Sequence, residues 1–485
     1  MKMKNIIVVL VLGVLFSSCE KWLDINTSPN TASAESVDPD YIFGYATAAF
    51  SGNRSGGDGH MPIGFMNQTI STGGNFGWGY GEDRYQISPY SEGNSWRTYF
   101  VNVGQNLKNA INVAESRDPI ENNIAAQCKV LFAGQMYECT TIWGDIPYSE
   151  AWSDVEAPKF DAQEDVLNSL ISTLDEAIAQ FDTNDPIVIS ANDVYYQGDI
   201  SQWLKLANSL KLKIAMLMVD KDASKTSLIT SLISDDNFIA SSADNWKFPF
   251  YNVPGSMNPK FGVMNQYSGG QNLWFFASSV LTGMMIPVND PRLPIYFDEG
   301  PDAADGQFIG VDPATEADDF SSLISPATLW FAEGEDLIYS YQELLFFKAE
   351  IYARGLGVPA DLTIANTYFQ QAVAEALRYY DVAESDITTF LAQPGFDLTA
   401  LSSADAIRAI HTQQYVDLMD RSQEAWTQMR RSGDAGSEVP LLDLPEGAPA
   451  GGIARRWNYP VDELNGNSNA PSSTPFMYES LWFDK

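Results

Sequence analysis

The sequence predicts a mainly α-helical scaffold decorated with long irregular loops, and three observations lead there. Apolar residues recur at three- and four-residue spacings in several separated blocks, which is the period of a helix with one buried face. Residues 50–95 and 237–335 are instead rich in Gly, Asn, Ser, Pro and aromatics, the composition of loops with short elements. No fixed internal period of the kind a regular solenoid shows runs through the chain. At 485 residues, 45% hydrophobic and 12% aromatic, the chain can bury a large core and does not resemble a disordered one.

The N-terminus differs from the rest. Lys2 and Lys4 precede the apolar run 6–16, followed by Ser17, Ser18 and Cys19, the layout of an export signal. That run is about half of the ~20 apolar residues a membrane-spanning helix needs. Leu15-Phe16-Ser17-Ser18-Cys19 resembles a bacterial lipobox, with Phe16 the poorest fit. The expectation is a signal peptide over residues 1–18 and lipidation of Cys19. Two or three acyl chains, each buried methylene contributing ~0.8 kcal/mol, would hold the protein stably at a membrane. The bland alternative is a cleaved secretory signal with an incidental cysteine. Residues 19–40 are polar, with Ser28-Pro29-Asn30 and Asp38-Pro39, and read as a tether; residues 41–485 read as a single domain.

The helical blocks follow in order. Trp96, Phe100, Val103, Leu107, Ala110, Ile111 and Ala114 form one stripe, and Val166, Leu170, Leu174, Ala177, Ile178 and Phe181 a second. A third places Trp203, Leu206, Ala207, Leu210, Ile214 and Leu217 on one side. A fourth, with Leu344, Leu345, Phe347, Ala349, Ile351 and Tyr352, breaks at Gly355 and Gly357. Its successor carries Ala365, Phe369 and Ala372, spaced four and three apart. That spacing matches the second helix of a tetratricopeptide-like hairpin, where small residues permit close packing and the aromatic fills the gap.

Charge and motif content narrow the function. The formal charge is -35, carried without any long basic block, which argues against nucleic acid as a partner. Cys128 and Cys139 lie eleven residues apart in one predicted helix, roughly 16 Å along its axis, too far to pair. No D-x-[DN]-x-[DN]-G loop, G-x-S-x-G elbow or H-E-x-x-H pair occurs, and His60 and His411 are the only histidines. With 63 acidic residues some carboxylate pair at glycosidase spacing is always available, so that signal has no weight alone. Neither catalytic residue, metal nor cofactor is expected.

Several segments together resemble the SusD/RagB family of nutrient-binding outer-membrane lipoproteins, over nearly the whole chain. They are Trp22-Leu23-Asp24-Ile25-Asn26 after the lipobox, Trp143-Gly144-Asp145-Ile146-Pro147-Tyr148, Asp193-Val194-Tyr195-Tyr196 leading into Trp203-Leu204-Lys205-Leu206-Ala207-Asn208, Asp290-Pro291-Arg292-Leu293-Pro294, Met429-Arg430-Arg431-Ser432-Gly433 and Arg456-Trp457-Asn458-Tyr459-Pro460. Each is short, and their order and spacing make the set specific. Read from the residues alone, Trp143 to Pro147 is a helix-ending turn with Asp145 placed to accept from backbone amides, and Arg292 is placed to clamp carbonyls or a carboxylate. The resemblance implies a SusD-like fold, a lipid anchor in the outer membrane facing the exterior, and a role as the lid of a SusC-like TonB-dependent barrel. The cargo it implies is glycan, often oligosaccharide, or peptide in the RagB branch. Glu20 and Lys21 make only a weak surface-export signal.

A sugar site needs flat rings to stack on apolar C–H faces and planar amides or acids to bond hydroxyls. The loop-rich segments hold two such clusters. One lies between Gly73 and Trp96 and includes Asn75, Phe76, Trp78, Tyr80, Asp83, Arg84, Tyr85, Tyr90 and Asn94; the other holds Asn265, Gln266, Tyr267, Gln271, Asn272, Trp274, Phe275 and Phe276. Trp78 with Trp274 is the favoured pair, with Tyr80, Asn75, Asn272 and Tyr267 as further ligand-binding candidates, while Trp96 begins a core stripe. Many of these rings could equally pin their loops to the body. Rival readings are a peptide-binding RagB-like protein, a transporter lid with no ligand site of its own, and a hydrolase.

Overall fold

The computed structural model describes residues 38–74, 81–472 and 474–485. The helices of eight or more residues run, in chain order, α1 (Pro39–Arg54), α2 (Pro89–Arg97), α3 (Asn106–Ser116), α4 (Asn122–Trp143), α5 (Gln163–Gln180), α6 (Ile200–Met218), α7 (Lys225–Asp235), α8 (Pro259–Ser268), α9 (Tyr341–Arg354), α10 (Leu362–Arg378), α11 (Glu384–Leu391), α12 (Ser403–Asp417) and α13 (Ser422–Arg431). A π-helical stretch, Thr98–Gln105, joins α2 to α3. Pro39, read as tether, is instead the first residue of α1: its ring fixes φ and its missing N–H suits a helix's first position.

Successive helices pack on one another, α3 on α4, α4 on α5, α5 on α6 and α6 on α7, with α1 against α3. The expected stripes face this core: Trp203, Leu206, Ala207, Leu210, Ile214 and Leu217 are buried, as are Val103, Leu107, Ala110, Ile111 and Ala114. Six tryptophans, Trp143, Trp203, Trp246, Trp330, Trp426 and Trp457, are wholly enclosed. Cys128 and Cys139 are free and buried on α4.

The α9–α10 pair is the helical hairpin anticipated from the Ala365, Phe369, Ala372 spacing, and all three side chains are fully buried. They pack with Leu345, Phe346 and Ala349 into a second core, with Phe346 edge-on to Phe369 at 6.4 Å between ring centres. The hairpin's helix starts are fixed by side chains: Ser340 Oγ accepts from the Glu343 N–H, and Asp361 accepts from Thr363 and Ile364. Gly355, at φ +73°, ends α9 in the left-handed region.

The loop-rich segments carry small sheets. β1 (Ile70–Ser71), β5 (Phe276–Ala277), β7 (Leu323–Ile324) and β6 (Phe297–Asp298) form one antiparallel sheet in the order β1-β5-β7-β6. β2 (Ile146–Pro147) pairs β3 (Phe160–Asp161), and β4 (Trp246–Phe248) pairs β8 (Asp336–Tyr339). No helix among the described residues is long and apolar enough to cross a membrane.

Candidate ligand-binding site

The two aromatic clusters are about two hundred residues apart in sequence, and the first sheet joins them. Ser71 pairs with Phe276 and Ile70 with Ala277, so the chain leading into the first cluster runs beside the strand that leaves the second. At Gly73, φ +62°, a Cβ would come within 2.6 Å of the Phe276 ring, so only glycine permits this approach. Asn75, Trp78 and Tyr80, with Cys19, lie outside the described residues.

The second cluster is built from the end of α8. Asn258 caps that helix by accepting from the Lys260 N–H, and Gly269, in the left-handed region at φ +67°, ends it. The chain then turns on Asn272. Its Oδ1 accepts from the Trp274 and Phe275 N–H groups at 3.1 and 3.0 Å, and its Nδ2 donates to the Phe275 and Ile324 carbonyls at 2.7 and 2.8 Å. Asn272 was expected to offer its amide to a ligand; both amide donors and the acceptor are instead bonded to the protein's own backbone, so it is a positioning residue. What it positions is Trp274, which is half-buried and meets Tyr267, 59% exposed, edge-on at 6.4 Å. Phe275 points the other way, buried, stacked on Phe65 at 6.3 Å and edge-on to Trp330 at 5.1 Å. Asn265, Gln266 and Gln271 are exposed beside this pair's segment.

Other candidates of the first cluster serve the fold. Asp83 is buried, accepting from Thr72 Oγ1 at 2.6 Å and the Ala314 N–H at 3.2 Å, and Arg84 donates to the Ala314 carbonyl at 2.7 Å. Tyr85 and Trp96 are buried, Trp96 lying edge-on to Trp143 at 5.2 Å. The turn after α4 has the form the residues predict: Asp145 Oδ1 accepts from the Gln163 N–H at 2.8 Å, and Trp143 donates to the Asn458 carbonyl at 3.0 Å. Arg292, fully buried, clamps Asp290 through Nε at 2.9 Å and a terminal nitrogen at 2.6 Å.

Folding does bring His60, Ser422 and Asp420 together. Ser422 Oγ lies 3.4 Å and Asp420 Oδ1 3.9 Å from the same ring nitrogen, Nε2, whereas a proton relay uses opposite nitrogens. Burial, then the neighbouring Lys260 and Arg54 charges, holds the imidazole well below its ordinary pKa. Ser422 and His60 are enclosed, out of reach of a substrate.

A helical scaffold presenting an exposed tyrosine and a half-buried tryptophan at a backbone-locked turn is the frame of a binding protein. Residues 62–460 match a family model described as SusD-like, "Starch-binding associating with outer membrane", and the chain belongs to that family. Among solved structures, a Bacteroidetes AC2a SusD-like protein superimposes with a TM-score of 0.78 at 18% identity, covering 93% of this chain and 100% of its own. A protein named as chitin-binding gives 0.77 at 23% identity, covering 92% and 100%. A chitin-binding SusD homolog from Flavobacterium johnsoniae gives 0.73 at 20%, covering 92% and 99%. At these identities the likeness establishes the fold. No curated protein matches the chain.

Proposed function

We propose that the protein captures oligosaccharide at the outer membrane, where Cys19 anchors it by its lipid, and passes the glycan to a SusC-like TonB-dependent barrel. It binds and does not catalyse. The observation that carries this reading is the β1–β5 pairing, which brings the chain entering the first aromatic segment beside the end of the second, together with the Asn272 turn that holds Trp274 beside the exposed Tyr267 ring. Two rings at a steep angle supply one face for stacking and one edge for lateral contact, and fixing them before the ligand arrives lowers the ordering cost of binding. Within this reading Trp78, Tyr80 and Asn75 belong to the same site, entered through Gly73 and Gly74. Chitin-binding relatives of the same fold favour glycan over peptide as cargo.

Calorimetric titration with neutral oligosaccharides, chito-oligomers among them, and with peptides tests the reading. Trp274→Ala and Trp78→Ala are each expected to weaken glycan binding at least tenfold, about 1.4 kcal/mol or more, with the melting temperature little changed. Unaltered affinity for a genuine ligand in both variants rejects the site, and peptide binding without glycan binding rejects the cargo.

A further inference from the structure

A second cleft shares no lining residue with the Tyr267–Trp274 turn. It is open to solvent, about 870 Å³, and lies between the end of α10 and the segment 327–335. That volume is within the range of small-ligand pockets, roughly 300–1,000 Å³.

Its charges are unevenly satisfied. Both cations in the lining are spent: Lys247 on Glu335 at 2.9 Å, and Arg378 on Glu375 at 2.8 Å and on Glu384 outside the cleft. Asp420 is held by Lys260 at 2.7 Å and by the Trp330 indole N–H at 2.6 Å. Glu333 on the segment 327–335 and Asp381 just past α10 are exposed, and neither carboxylate has an ion pair or a side-chain hydrogen bond among the described residues. Asp381 is displayed at φ +58°, a left-handed position just past α10. Aromatic residues line the same cleft, each two positions from one of these carboxylates in sequence: Phe331 is 38% exposed, and Tyr379 is half-buried. Burial, then the Glu335 and Asp420 carboxylates, pushes the Tyr379 hydroxyl's pKa up, so it stays a hydrogen-bond donor.

A cleft lined by uncompensated carboxylates and by aromatic rings selects a cation carried on a frame that can lie against an aromatic face. We propose that this cleft is a second binding site, which takes an amino-sugar unit with its protonated amine between Glu333 and Asp381 and its ring against Phe331 and Tyr379. The choice of a sugar rather than a lysine side chain rests on the glycan function proposed above; the cleft's charge and shape do not depend on Trp274.

The test is calorimetric titration of the full mature chain, at pH 6 and low salt, with a fully deacetylated glucosamine tetramer, its N-acetylated counterpart and a tetralysine peptide. The deacetylated tetramer is expected to bind the wild type, to weaken at least tenfold in E333Q/D381N, and to bind W274A as it binds the wild type. The uncharged tetramer should be indifferent to E333Q/D381N. Phe331→Ala, which leaves the charge alone, should weaken the deacetylated tetramer several-fold. Absence of binding to the wild type, equal binding to E333Q/D381N, or equal or tighter binding of tetralysine overturns the proposal. Failure of the glycan site reads out separately, as neutral-glycan binding untouched by W274A.

Discussion

The α9 region and the Asn272 turn solve the burial of polar groups in opposite ways. On α9, Glu350 has no exposed surface and takes Arg431 of α13 at 2.8 Å, Arg354 of its own helix at 2.7 Å and the His411 imidazole of α12 at 3.2 Å. Two turns back, Glu343 takes Lys213 at 2.9 Å and Arg421 at 2.7 Å, and Lys213 also reaches Glu424 at 2.7 Å. Apart from Glu350–Arg354 within α9, these pairs link α9 to α6, α12, α13 and the residue that precedes α13, and α6 to α13, so they constrain how the helices sit. In the turn after α8, by contrast, the buried polar group bonds backbone close by, and only the Ile324 carbonyl comes from far away in sequence. The scaffold is tied together by charge between elements, whereas the turn is tied mainly to itself and leaves its rings to the outside.

The sharpest way to break that contrast is Glu350→Ala. Burial alone would raise this carboxyl, yet Arg431, then His411 and Arg354, holds it well below the usual carboxylate range. Removing it leaves Arg431 enclosed without a counter-charge, while Arg354 keeps Asp220, and the expected loss is about 3–5 kcal/mol in urea unfolding. A loss under about 1 kcal/mol would show that water replaces the carboxylate and that the network does not fix the helices. Glu350→Gln should recover part of the packing and little of the charge.

The helical half was legible wherever burial followed the helix period. It was illegible where charge is buried: α13, SQEAWTQMRR, has few apolar residues, yet all ten residues are enclosed, because their partners arrive from α6, α9 and residues 454–455 and no local pattern announces them. The site was legible by composition only. Aromatics in glycine- and asparagine-rich sequence pointed to Tyr267 and Trp274, but nothing local says that Asn272 bonds Ile324, fifty-two residues on. The cleft between α10 and 327–335 went unread, since its walls come from five separated segments and none has a motif.

A smaller effect separates charged from uncharged burial within the scaffold. Glu92 on α2 is buried like Glu350 but meets an amide, Asn458 Nδ2 at 3.0 Å, in place of a cation. Burial pushes its pKa up to about 7. The sign follows: the folded state favours the protonated acid, so its contribution is full below the unfolded value near 4.5 and is lost as pH rises through about 7. Glu92→Gln should therefore be more stable than the wild type at pH 8, by roughly 1–3 kcal/mol, and nearly equal to it at pH 4. Parallel pH-stability curves for the two proteins would show that Glu92 ionises freely in the fold.

The smallest effect on global stability, and the most telling for the comparison, belongs to Asn272→Ala. It strips the amide from two backbone donors and two carbonyls, a local loss of about 1–3 kcal/mol. Because the turn bonds chiefly to itself, this loss should appear as faster hydrogen exchange across residues 269–277, with a fall in melting temperature of only a few degrees. Glycan affinity should drop with it although Asn272 has no free amide group to give a ligand, since an unfixed Trp274 must be ordered on binding. Asn272→Asp keeps the acceptor for the two N–H groups and loses the donor to the Phe275 and Ile324 carbonyls, so it should fall between the wild type and Asn272→Ala. If Asn272→Ala instead lowers stability as far as Glu350→Ala does, the turn is a strut of the scaffold, and the division between a charge-bound frame and a self-bound site does not hold.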